Sequence, residues 1–221
     1  ANILEKAREN RDDLDLQLRA LDKLIDGGHA EKVVGQVDVI LSHHAESDDA
    51  VIERLQRYAE REDVPFTILN LLSDLLASKR RYEETLKVIR DMAGRAIDTV
   101  PTVRDGAQKI LRHAPHHLPT LKMLGDTYRE HGKFTEMIHS YSLYLSQGGE
   151  ESEEVDRALA EAYISLRDYH NAKRFVRELQ SADKAEPELL ERLTQLALEA
   201  HEPEEAADHL KNLEIKAPKL E

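Results

Sequence analysis

Apolar residues recur three and four positions apart from one end of this chain to the other, and they never alternate in sustained fashion. That spacing is the mark of helices with one buried stripe, so the whole chain reads as helix. Ile3, Leu4, Ala7, Leu14, Leu18, Leu21 and Ile25 predict one long first helix that stops at Gly27-Gly28, where two residues tolerant of positive φ allow a turn. A second run carries Val33, Val34, Val37, Ile40 and Leu41 and ends near His43-His44. Ser47 followed by Asp48 and Asp49 reads as an N-cap with acids in the first turn, opening a helix through Val51, Ile52, Leu55, Tyr58 and Ala59. Pro65 and Pro101 suit first turns, where a missing N–H costs little. With breaks at Lys79 to Arg81, Pro115, Gly132, Gly148-Gly149, Pro187 and Pro203, the count is about twelve helices with short connections.

Composition narrows what such a chain does. Its 221 residues are 40% hydrophobic, enough for a core, and no 18 apolar residues run together, so no membrane insertion is expected. A net charge of -13 would repel a phosphate backbone over most of the surface, which speaks against nucleic acid. Zero cysteines remove disulfides, thiolate nucleophiles and sulfur metal ligands. The compartment stays open between cytosol and periplasm, with a slight preference for the cytoplasm. Ala1 stands where a start methionine belongs and no basic-then-apolar leader follows it, which suggests a processed chain or part of a longer one; Leu220-Glu221 has the look of a vector scar. No low-complexity segment or Gly/Ser-rich spacer marks a boundary, so residues 1–221 are expected to form a single helical domain.

Laid against itself at offsets of 34 and 35 residues, the chain repeats. One unit from Leu118 has Leu121, Leu124, Gly125 and Tyr128, a turn at Gly132, then Phe134, Met137, Tyr141 and Tyr144. The next, from about Glu153, has Leu159, Ala160 and Tyr163, then Tyr169, Ala172, Val176 and Leu179. A third starts at Pro187 with Leu190, Leu193, Thr194 and Ala197, continues with Pro203, Ala206, Leu210 and Leu213, and closes on Pro218. A fainter unit carries Leu69, Leu72, Ser73 and Leu76, then Tyr82, Thr85, Ile89 and Met92.

This ladder of large residue, Leu, Gly or Ala, and Tyr on one helix, with an aromatic opening the next, resembles the tetratricopeptide repeat family. The resemblance covers residues 118–220 best, 66–99 weakly and the first 60 as generic helical pairs. It implies an all-α, right-handed solenoid of antiparallel helix pairs: divergent hairpins over 1–65, an irregular repeat over 66–117 and three full repeats over 118–221. Met137 and Thr85 stand where the family prefers Ala, and Arg167 where a turn glycine is expected, so the superhelix should be irregular there. The helix through Val103, Ala107, Ile110 and Leu111 fits no full unit and reads as an odd half-repeat.

Candidate chemistry is sparse. His113, His116 and His117 cluster around Pro115 but lack an acid at fixed spacing. Glu136 and His139 form a single Glu-x-x-His step without the second that a di-iron bundle needs. His201 to Glu205 lacks the second His of a zincin helix, and Pro203 interrupts it. No Gly-x-Ser-x-Gly elbow or phosphate-cradling glycine loop is present. The acidic block Glu150, Glu151, Glu153, Glu154 and Asp156 is favoured by its place at a helix N-terminus, and Lys79, Arg80 and Arg81 read as a solvated helix end. No catalytic residue, metal or cofactor is expected.

What remains is a surface. The resemblance implies that stacked first helices line a concave groove, with contacts made beside the packing ladder. Carried onto this chain, those positions are Asn70 and Asp74; Lys122, Asp126 and Arg129; Arg157 and Glu161; and Glu191, Arg192 and Gln195. The subclass that clamps a terminal carboxylate is disfavoured: of its pattern Lys122 and Arg192 remain, while Asp126, Ala158 and Glu188 fill other slots and two carboxylates would repel a third. The expected role is a non-enzymatic scaffold that binds a partner peptide or domain in the groove. Self-association through an apolar cap on the first helix is the alternative, and a metal-dependent activity using the histidines named above is a third and weaker one.

Overall fold

The structure is a computed structural model that describes residues 2–216, with side chains described to Leu213. Ala1, Pro218 and Leu220-Glu221 lie outside the described residues. All regular structure in the described residues is helical, in thirteen α-helices and one short 3₁₀ turn, and none of them is long and apolar enough to cross a membrane. The chain divides into two compact units, Ala1–Pro115 and His116–Glu221.

The first unit holds α1 (Ile3–Glu9), α2 (Leu14–Asp26), α3 (Ala30–His43), α4 (Asp48–Ala59), α5 (Phe66–Ser78), α6 (Tyr82–Arg95) and α7 (Thr99–Leu111). The long first helix predicted from periodicity is therefore two helices. Asp13 caps the second by accepting from the Leu16 N–H at 3.0 Å, and the buried Gln17 amide donates to the carbonyls of Ala7 at 2.6 Å and Asn10 at 2.8 Å. Those bonds satisfy the end of α1, so the break costs little while the apolar stripe continues across it. Leu21, Val33, Val37, Ile40, Ile52, Leu55, Ile68, Leu69 and Leu72 form one core. Leu4, Leu14 and Leu18 pack against it, so the first helix does not carry an exposed apolar cap. At the end of this unit α7 packs on both α5 and α6. A β-carbon added at Gly106 of α7 would lie 2.7 Å from Ile89 Cγ1 of α6, so the glycine permits a close crossing.

The second unit is three antiparallel hairpins: α8 (Leu118–Glu130) with α9 (Phe134–Ser146), α10 (Glu153–Ser165) with α11 (Tyr169–Ser181), and α12 (Pro187–Glu199) with α13 (Pro203–Lys216). Each hairpin packs on the next, and Tyr141, Val155, Leu159, Val176, Leu190 and Leu193 belong to one continuous core. The small slot of the ladder is buried in every copy, with Gly125, Ala160 and Thr194 all inside. Gly125 is the tightest: an added β-carbon would sit 2.4 Å from the ring of Tyr141, which is itself fully buried. Glycine at that place admits the large aromatic opposite it. The ring of Tyr163 stacks on Phe175 at 5.8 Å between centroids.

One turn recurs in both units. Two residues past the helix end the backbone is left-handed, at Gly28, Arg80, Gly132, Gly148, Arg167, Asp183 and His201. The residue after each donates its N–H back to a carbonyl five residues earlier, as in Asp168 to Tyr163 at 2.9 Å and Glu202 to Ala197 at 2.9 Å. Arg167 thus occupies the seat where a turn glycine was expected and adopts its conformation, with φ of 62°. Gly149 has a different reason to be glycine: the Tyr144 ring would lie 2.6 Å from its β-carbon, and the Tyr144 hydroxyl accepts from the Glu150 N–H at 3.0 Å.

Three stability outcomes follow from these contacts. Arg80→Gly should raise unfolding free energy by about 1 kcal/mol and Gly148→Ala should lower it by about the same, because a β-carbon in the left-handed region is disfavoured. Urea titration followed by circular dichroism checks both. Gly125→Ala should cost about 2 kcal/mol by overpacking against Tyr141. Full stability in that variant would show that α8 and α9 are not closely packed at this point.

Candidate functional site

The polar stripe predicted from the repeat sits on α5, α8, α10 and α12, and the structure shows what most of its members touch. On α8 the Lys122 ammonium donates to both carboxylate oxygens of Asp126 at 3.0 Å. Asp126 also accepts from the buried Tyr141 hydroxyl at 2.7 Å. Burial, then the hydrogen bond to Asp126, pushes the Tyr141 hydroxyl well above the usual phenol range, so it stays protonated and donates. Arg129, one turn further on, pairs with Glu154 of α10 at 2.7 Å, and Lys122 lies 3.9 Å from the same carboxylate. On α10 Arg157 pairs with Glu153 at 2.7 Å and with Glu186, just before α12, and its guanidinium donates to the Lys184 carbonyl at 3.3 Å.

Between α8 and α10 these side chains line an open groove of about 430 Å³ formed by Arg129, Ser152, Glu153, Glu154, Arg157, Ala158 and Glu161. Three predicted residues, Arg129, Arg157 and Glu161, meet there. Glu161 is exposed, and its backbone carbonyl accepts from Ser165 at 2.8 Å. Glu153 and Glu154 stand in the first turn of α10 behind the Ser152 cap, as their position at a helix start implied, and they also supply acid to the groove. The Arg157 hydrogen bond holds the Glu153 carboxyl below its ordinary range, with Lys184 adding to the effect. Asp156, from the same block, is pushed upward by burial and by Glu151 and Glu178.

The other predicted positions are not among the residues that line that groove. Glu191 and Gln195 are exposed on α12 and Arg192 is half-buried; Gln195 approaches Glu199 at 3.5 Å, and neither Glu191 nor Arg192 has an ion pair among the described residues. Asn70 and Asp74 on α5 are gathered by a residue the sequence did not single out, Lys109 of α7. Its ammonium donates to the Asn70 carbonyl at 3.1 Å, Asn70 Oδ1 at 2.7 Å and Ser73 Oγ at 2.6 Å, and lies 3.0 Å from Asp74. Burial lowers the Lys109 pKa and Asp74 opposes that shift.

Lys109 to Asp74, Arg129 to Glu154 and Arg157 to Glu186 share one pattern: a basic side chain of one first helix reaches an acid on, or at the start of, a neighbouring first helix. The stripe is therefore partly spent on holding adjacent repeats in register. The more exposed pairs, at Arg129 and Arg157, are worth up to about 1 kcal/mol each and exchange more readily for an incoming charged group than the buried Lys109 pair does.

No three His, Asp or Glu side chains converge as a metal site among the described residues. His201 lies in the turn after α12, and His209 is on α13. There His209, 5% exposed, lies 3.2 Å from the Tyr169 hydroxyl, beside Glu205, which also pairs with Tyr169 and Lys173. His209 takes the place held one repeat earlier by Phe175, and burial lowers its pKa. It is an internal polar link between α11 and α13.

The comparisons give little beyond this. No protein-family model matches the chain, and no curated protein does. Among solved structures, a tetratricopeptide repeat protein from Parabacteroides merdae aligns with 98% of this chain and 79% of its own, at 14% identity and a TM-score of 0.34. A likeness at that score carries no weight for site or partner, which rest on this chain's own geometry.

The His209 environment has a pH consequence. A histidine whose folded pKa lies below its unfolded value leaves the unfolded chain binding more protons as pH falls, so folding weakens below about pH 6.5, the unfolded value. Glu205, held low by its Lys173 and Tyr169 hydrogen bonds, adds loss of the same sign at lower pH. The expected result is a thermal midpoint that falls between pH 7 and 5, with His209→Phe flattening that part of the profile. An unchanged slope in the variant would remove His209 as the cause.

Proposed function

We propose that this chain is a non-enzymatic interaction scaffold that takes an extended or helical peptide of a partner protein in the groove between α8 and α10. The observation that supports it most is the meeting of Arg129, Arg157 and Glu161 with Glu153 and Glu154 in one open, mixed-charge groove. Its walls are rigid helices, so binding orders little of the scaffold, and its charges already sit in exchangeable pairs. An alternating acidic and basic peptide can replace Glu154 on Arg129 and Glu186 on Arg157 while offering cations to the released carboxylates. Lys122, Asp126, Glu191, Arg192 and Gln195 continue the polar stripe on the first helices of the second unit, and Asn70 and Asp74 form a polar patch of their own on α5 in the first unit.

The test uses a photo-crosslinking amino acid at Glu161, compared with the same group at Arg177, which is exposed on α11. A discrete protein adduct at Glu161 and none at Arg177 is expected. The pair swap Arg129→Glu with Glu154→Arg keeps an ion pair between the helices but inverts its direction; it should weaken capture at least about tenfold, with a cooperative thermal melt showing that the variant is folded. Equal labelling at both positions, or capture indifferent to the swap, would remove the groove as the binding site.

A further inference from the structure

The hairpin α12–α13 keeps the apolar pattern of the one before it and, among the described residues, leaves part of that pattern uncovered. Leu198 is 56% exposed and Leu210 is 50% exposed. Thirty-four residues earlier the same positions are Ile164, 7% exposed, and Val176, fully buried. The next hairpin covers that earlier pair: α12 packs on both α10 and α11, and its Leu189, Leu190 and Leu193 belong to the same core as Ile164 and Val176. The outer face of α12–α13 is thus a continuation of an interface already formed once inside the second unit, and it is shaped for a helix with a leucine stripe.

Charge selects among such helices. Glu191, Glu202 and Glu204 are exposed on this hairpin and have no ion pair among the described residues; against these three acids stand Arg192, which is half-buried, and Lys211, which is engaged with Asp208 at 3.4 Å. We infer that the outer face of α12–α13 is a docking surface for a partner's amphipathic helix whose leucine stripe is flanked by lysine or arginine. A second copy of this chain fits less well, because the same acids would face one another across a two-fold contact. Leu198 and Leu210 are not among the residues that line the α8–α10 groove.

The probe is a peptide of residues 187–199 carrying Glu188→Lys, Glu191→Lys and Glu199→Lys, held helical by a staple on its polar face because so short a helix is marginal in water. Fluorescence anisotropy reads its binding to the full chain. The stapled basic peptide should bind at least about tenfold more tightly than its unaltered acidic counterpart, and Leu198→Asp or Leu210→Asp in the chain should weaken it by a similar factor. Both leucines are exposed, and thermal melting of each variant confirms that folding is intact. Undetectable binding, binding indifferent to the two leucine variants, or sedimentation showing a dimer that Leu210→Asp dissociates would each overturn the proposal, the last by assigning the face to self-association.

Discussion

A pair of helices joined by a short turn has apolar surface on more sides than it can cover by itself. In this chain the difficulty is met by adding another pair, and then another, so that the flank left open by one becomes the seat of the next. Tyr141 shows how closely such seats fit. The fully buried ring rests over Gly125 with no room for a single methyl group between them, and its hydroxyl reaches out of the core to Asp126 at the edge of the polar stripe. Packing and surface chemistry are joined there through one side chain, and the position of Asp126, hence of Lys122, follows from the burial of a neighbour on another helix.

The same coupling explains how a surface without reactive groups can be specific. The groove-lining arginines are pinned by acids from the next repeat, so their guanidinium planes are set before any ligand arrives. Removing Glu154 frees Arg129, and removing Arg157 leaves Glu153 and Glu186 without the cation they share. On the proposed reading, a ligand that mimics either partner would enter a site whose geometry has been fixed in advance, which would give charge pattern more influence than contact area.

Much of the architecture was legible in the sequence because one physical quantity, helical apolar period, writes both the helices and their repeat. The hairpins α8–α9, α10–α11 and α12–α13 begin and end close to where Gly132, Gly148-Gly149, Pro187 and Pro203 place them. The break between α1 and α2 was not legible: the period runs through it, and what licenses it is the side chain of Gln17 turned inward to two carbonyls, a polar residue on an apolar face. Lys109 was missed for a related reason. Its partners on α5 lie 35 to 39 residues away, and nothing in a local pattern says that a lysine stem will lie buried with its ammonium held by Asn70, Ser73 and Asp74. Lys122, Arg129 and Arg157 were found as a face, but their pairing across helices is a property of how repeats tilt, which no single helix encodes.

The seven left-handed turns have a consequence for descent. Their bend is specified by main-chain hydrogen bonds, and arginine, aspartate and histidine occupy the same seat as glycine. A duplicated hairpin can therefore lose its signature letters one after another while the corner itself persists. Kinship among such modules outlasts spelling and is kept in the path of the backbone.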